Sequence, residues 1–168
     1  APCVRLMSLL LALLALGGVA FAEAGPTLVP SFQREVLPVL TKYGCNTGGC
    51  HGKLAGQNGF RLSLRGYAPE WDHEWITQEV NGRRLNLAFP EQSLLMQKAT
   101  GGVVHDGGTR FRHGSRAWRI LVDWIAGRAP GPLPDEPMPV ALEVTPGEAT
   151  LDRGEVRDLQ VRARDADG

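Results

Sequence analysis

Five prolines between Ala129 and Pro139 divide this chain into two stretches of different periodicity. Proline fixes φ and lacks a backbone N–H, so a segment this rich in it serves neither as a helix interior nor as a central strand; it reads as a stiff linker. Before the linker, apolar residues recur at helical spacing, and after it they alternate with polar ones. The chain is thereby limited to a helical unit over 31–130, a spacer over 131–139 and a β unit over 140–168.

The clearest helix is Arg116 to Ala126. Trp118, Leu121, Val122 and Ile125 fall at i, i+3, i+4 and i+7, with Ile120 and Trp124 widening the stripe. Ser115 is its N-cap and Gly127 its stop. Ser31 to Tyr43 carries Phe32, Val36, Val39, Leu40 and Tyr43 at the same spacing, with a kink expected at Pro38 and an end at Gly44. Pro69 to Val80 reads as a further helix with Trp71, Trp75, Ile76 and Val80 inward, and Pro90 opens a shorter one. Phe60, Leu62 and Leu64 alternate with polar residues as a short strand or extended segment would. Beyond the linker, Ala141 to Pro146 and Asp158 to Ala163 alternate as strands, with turns at Gly147 and at Arg153-Gly154.

The 168 residues include 18 basic and 18 acidic side chains. Zero net charge offers no electrostatic footprint for nucleic acid or for an anionic membrane. Leu6 to Ala22 is apolar, follows Arg5 and ends in Ala20-Phe21-Ala22. That is the pattern of a signal peptide over 1–22, cut after Ala22. About 17 apolar residues containing Gly17-Gly18 are short for a membrane span, so export to the periplasm or cell surface is expected, with no stable span after cleavage. The start and end of the sequence suggest an N-terminal piece of a larger product. Cys3 would leave with the leader, so Cys45 and Cys50 remain, too few for a disulfide framework.

Those two stand in Cys45-Asn46-Thr47-Gly48-Gly49-Cys50-His51-Gly52. A cysteine pair ending in Cys-His is how a protein attaches a c-type haem, although the usual spacer has two residues and this one has four. Thiols add to the haem vinyl groups and the adjacent imidazole takes the iron. Gly48, Gly49 and Gly52 would let the backbone run close to the porphyrin. Two other readings stand beside it: a Cys45–Cys50 disulfide in a structural or adhesive surface protein, and a zinc site using both cysteines and two histidines. For a second axial ligand the candidates are His105, in the glycine-rich loop before the last helix, His113 just before its cap, and Met96. Met96 at helical spacing suits a core, and His73 on the second helix suits an exposed position.

Four segments, taken in order, resemble the planctomycete-type cytochrome c domain: Cys45 to His51, Gly59-Phe60-Arg61-Leu62-Ser63-Leu64-Arg65-Gly66-Tyr67, Pro90-Glu91-Gln92-Ser93-Leu94-Leu95, and Trp118-Arg119-Ile120-Leu121-Val122-Asp123-Trp124-Ile125. The resemblance implies a mainly α fold, a small cytochrome c-like helical haem domain. It implies one covalent haem c on Cys45 and Cys50, His51 as proximal iron ligand, and electron transfer to an unknown redox partner. Where many relatives carry a methionine ligand, this chain has Val104-His105-Asp106-Gly107-Gly108, which makes His105 the implied distal ligand. Two imidazoles without a thioether imply a lower potential. From Val144 to Gly168 the chain is similar to the start of a bacterial Ig-like module of group 2, an all-β sandwich. In the resembled family this order of modules heads large exported proteins with further C-terminal domains, so an electron relay to a downstream catalytic domain is a further expectation. Within the chain itself no nucleophile, base and acid come together in sequence, and no enzyme is expected from it alone.

Overall fold

A computed structural model describes residues 28–166, so the expected signal peptide lies outside the described residues. Ser31 caps the first element: its hydroxyl accepts from Arg34 N, and a π-helical turn, Phe32–Val36, follows. This turn runs directly into α1, Leu37–Lys42. The wide turn is the form the expected kink takes. Pro38 has no N–H to offer and its ring would press on the carbonyl four residues earlier, so the chain enters α1 through a loosened turn. Gly44 ends the run at φ +73°, a left-handed conformation that glycine adopts without cost.

The remaining helices are α2, Pro69–Thr77, α3, Leu94–Thr100, and α4, Arg116–Ala126, with 3-10 turns at Leu64–Gly66 and Pro90–Gln92. Phe60, Leu62 and Leu64 form no strand: Leu62 is buried, Leu64 is exposed, and the segment ends in the first of those turns. The core joins Phe32, Val36 and Leu40 to Ile76, Met96, Leu121, Trp124 and Ile125. Trp124 is its centre, fully buried, 5.6 Å from the Phe32 ring, with its indole N–H on the Pro130 carbonyl at 2.9 Å.

In α4 the serine cap is as expected, with Ser115 Oγ accepting from Trp118 N. The inward face centres on Ala117, Leu121, Trp124 and Ile125, while Trp118 and Val122 are half-buried. Gly127 stops the helix without left-handed geometry, at φ −74°; Arg128 and Ala129 take the positive φ values instead. What requires glycine at 127 is room, because a Cβ there would lie 2.4 Å from Val29 Cγ1.

Helix α2 turns a different face inward from the one expected. Ile76 is buried, but Trp71 and Val80 are exposed and Trp75 is half-buried. Asp72 takes the inward position, accepting Ser63 N at 2.5 Å and Ser63 Oγ at 2.7 Å. Burial raises the Asp72 carboxyl above its ordinary range, and the two Ser63 donors oppose that rise. His73 is not the exposed residue its position suggested. It is half-buried, donates Nε2–H to the Ala129 carbonyl at 2.9 Å and stands edge-on to Phe32 at 5.3 Å.

The mainly α architecture leading into an all-β Ig-like sandwich is not what this chain has. Helix accounts for 32% of the described residues and strand for 11%, a helix share ordinary for mixed globular proteins. The β unit is one antiparallel hairpin, β1, Pro139–Thr145, on β2, Gln160–Asp165, with Val144 opposite Val161 and Leu142 opposite Ala163. Among the described residues it has no second sheet to pack on. The linker is less free than a spacer, since Ser31 Oγ donates to Glu136 at 2.7 Å, and β2 is tied to the same first turn by Arg34, which pairs with Asp165 at 3.0 Å.

Candidate functional site

The exit of α1 delivers Cys45, whose N–H bonds to Leu40 O at 2.9 Å. The four residues between the cysteines are wound into turns by their own backbone: Cys50 N reaches Thr47 O at 3.0 Å, His51 N reaches Cys45 O at 3.0 Å, and Gly52 N reaches Thr47 O at 2.9 Å. Asn46 is buried beneath, its amide on Thr41 Oγ1 and its carbonyl taking Arg65 N. Of the three glycines expected to matter, Gly52 alone is sterically required by the protein, since a Cβ there would sit 2.0 Å from Asn46 O. Side chains at Gly48 or Gly49 would meet nothing within 4 Å.

This loop forms one wall of a cavity of about 310 Å³, lined by Cys45, Cys50, His51 and His105 together with Leu40, Phe60, Leu62, Leu94, Leu95 and Ala99. The two imidazoles are nearly parallel, at 3°, with ring centres 6.3 Å apart. Two imidazoles bound end-on to one metal at about 2.0–2.1 Å per nitrogen have ring centres roughly 6 Å apart. Each ring is also held by its other nitrogen: His51 Nδ1 lies 2.9 Å from Phe60 O, and His105 Nδ1 lies 3.1 Å from Gly108 O. With Nδ1 on a backbone carbonyl, the proton sits there and Nε2 is left with its lone pair, which is how ligating histidines are usually prepared.

The electrostatics agree with a ligand role. Burial lowers His51 below the ordinary imidazole range, with the Phe60 carbonyl opposing and His105 and Arg84 adding to the fall, so the ring is neutral at pH 7. Burial pushes the Cys45 thiol up to about 11, with Arg110 pulling it down and Cys50 pushing it up. Both thiols are free and half-buried. Among the described residues the cavity lining also includes four cations, Arg83, Arg84, Lys98 and Arg110, and no carboxylate.

The other ligand candidates lie elsewhere. Met96 is buried in the core and does not line the cavity, and His113 is exposed, its ring tilted against Trp118 with centres 4.6 Å apart. Among the described residues no three His, Cys, Asp or Glu side chains are placed together as a group that could hold a metal ion by themselves. A haem makes a smaller demand, because its macrocycle supplies four of the iron's ligands and the protein two. The donor set therefore fits that group: two thiols and two prepared imidazoles in one apolar cavity, with cations for its carboxylates.

Sequence reasoning missed the cations. Arg84 is buried, donates to Trp75 O, Glu79 O and Glu79 Oε2, and lies 4.5 Å over the Phe60 ring that contacts His51. Nothing local distinguishes it from exposed Arg83 beside it; the Asn81-Gly82 turn that swings it inward is the only sequence signal. Comparison with protein-family models, with curated proteins and with solved structures found no match to this chain.

Proposed function

We propose that Cys45 and Cys50 attach a single haem c covalently, that His51 and His105 are its axial ligands, and that the protein is an exported electron-transfer protein. The observation that carries this reading is the near-parallel His51–His105 pair at 6.3 Å in the cavity that holds both thiols. The ordered resemblance to the planctomycete-type cytochrome c domain supports it independently. When bound, the group supplies a one-electron iron couple.

The chain's own residues bind and tune. Cys45 and Cys50 fix one edge, Leu40, Leu62 and Leu95 exclude water, and the Phe60 and Gly108 carbonyls orient the two imidazoles. Two imidazoles, His51 and His105, would hold the iron and leave no open site for small ligands, which would suit electron transfer over catalysis, and the lack of a thioether ligand would favour a lower potential. Export rests on the leader pattern of 1–22; among the described residues no helix is long and apolar enough to cross a membrane.

The test is production of the full chain with a cytochrome c maturation system. Haem retained after denaturation, with a low-spin ferric spectrum, is the expected result. Protein without covalent haem, its mass lower by two hydrogens, would instead establish the Cys45–Cys50 disulfide of a structural surface protein. His105→Ala is expected to convert low-spin iron to high-spin; an unchanged spectrum would move the ligand to Met96 or His113.

A further inference from the structure

The two halves of the site are far apart in sequence, and one side chain spans them. Arg110 donates Nε and Nη2 to the Tyr43 carbonyl, two residues before Cys45, and Nη1 to the Gly107 carbonyl, two residues after His105, at 2.8 Å. Its own backbone N–H is anchored on Ala99 O at 2.7 Å, and the next residue, Phe111, is buried edge-on to the Tyr43 ring at 5.3 Å. Among the described residues no carboxylate pairs with it; its donors go to main-chain carbonyls. Gly107 must be close for this to work, and it is: a Cβ there would fall 2.8 Å from the His105 ring.

We propose that Arg110 is the positioning residue of the distal ligand, a guanidinium fork that clamps the His105 loop to the Cys45 turn and sets the distance between the two imidazoles. The proposal rests on the haem reading above. A planar fork can serve two carbonyls at once, whereas a lysine ammonium on a flexible stem cannot hold both in a fixed geometry. Without the fork, the loop 101–109 keeps Val103 N on Gln97 O at 3.2 Å, Lys98 Nζ on Val104 O at 2.5 Å and the local turn in which Gly108 N bonds His105 O at 2.8 Å and the His105 ring meets Gly108 O, none of which reaches the Cys45 turn. Losing charge-assisted hydrogen bonds of this kind shifts such an equilibrium by about tenfold or more.

The experiment compares the haem-loaded full chain with its Arg110→Met and Arg110→Lys variants and with His105→Ala, by electronic absorption and electron paramagnetic resonance. Thermal unfolding followed by circular dichroism confirms that each is folded. In Arg110→Met the ratio of bound to unbound His105 is expected to fall about tenfold, seen as high-spin iron, with low-spin iron restored by added imidazole. Arg110→Lys is expected to lie between it and the unmodified protein. Adding Arg110→Met to His105→Ala should change nothing further, since both act on one ligand. A wild-type spin state in Arg110→Lys overturns the proposal even where Arg110→Met does not fold. An unmodified chain that holds no covalent haem overturns the functional reading and this one with it, whereas haem retained with unchanged ligation in both Arg110 variants overturns this one alone.

Discussion

Helix α4 and the β1–β2 hairpin each place apolar residues at the period of their own secondary structure. In α4, Leu121, Trp124 and Ile125 meet Phe32 and the rest of the core and are almost wholly buried. In the hairpin, Val144 pairs with Val161 in register, yet they remain 44% and 60% exposed and Leu142 68%. Backbone pairing and side-chain burial are therefore separable. The hairpin has the first without the second, and a lone two-stranded sheet gains little stability by itself. Its ties to the helical unit are polar and near the surface, through Arg34–Asp165 and Ser31–Glu136.

The sharpest way to break this contrast is Trp124→Ala. Emptying the core centre should cost about 3–5 kcal/mol. It also leaves the Pro130 carbonyl without its donor. The urea midpoint should collapse, and a loss below about 1 kcal/mol would mean the core is not organised around this ring.

A smaller effect is expected from Asp72→Ala, which strands Ser63 N–H and Oγ–H inside the helical unit and should cost about 1–3 kcal/mol. Its pH dependence gives a second reading. The folded carboxyl holds its proton above the ordinary value of 3.8, so the native state binds more protons than the unfolded one in that window. Asp72 thus contributes stability that is present below 3.8 and is lost as pH rises through its folded value. Asp72→Asn should remove that component from the acid limb of an unfolding series, and an identical limb would refute the direction of the shift.

Least affected should be the polar tie between the regions. Arg34→Ala removes an exposed pair worth about 0.2–1 kcal/mol, and Leu142→Asn on the hairpin should stay within about 0.5 kcal/mol. A larger loss from either would show that the hairpin is coupled to the core after all.

What could be read in advance follows the same division. Helix α4 was legible to its cap, because Ser115, an eleven-residue stripe and a terminating glycine all point one way. The two hairpin strands were legible from period alone, but a sandwich was not, since alternation says that two faces differ and not that a second sheet exists. In α2 the aromatic residues drew the inward assignment to Trp71 and Trp75, whereas the Ser63 donors pull Asp72 in and turn both tryptophans toward the surface. The convergence of Cys45, Cys50, His51 and His105 on one cavity matches residues that sequence singled out. Arg84 and Arg110 escaped notice: Arg110 is held by main-chain carbonyls and leaves no acidic partner to find in the sequence, and Arg84 gives most of its donors to carbonyls too, with Glu79 as its carboxylate partner.

Gly127 carries a consequence of another kind. Its dihedrals are open to any residue, and alanine would even favour the helix, but Val29 fills the space where a side chain would go. Positions 29 and 127 are thus two halves of one volume, ninety-eight residues apart along the chain. Relatives of this chain should vary there together, a larger residue at 127 appearing only beside a smaller one at 29, and Gly127→Ala should be tolerated better with Val29→Ala than alone.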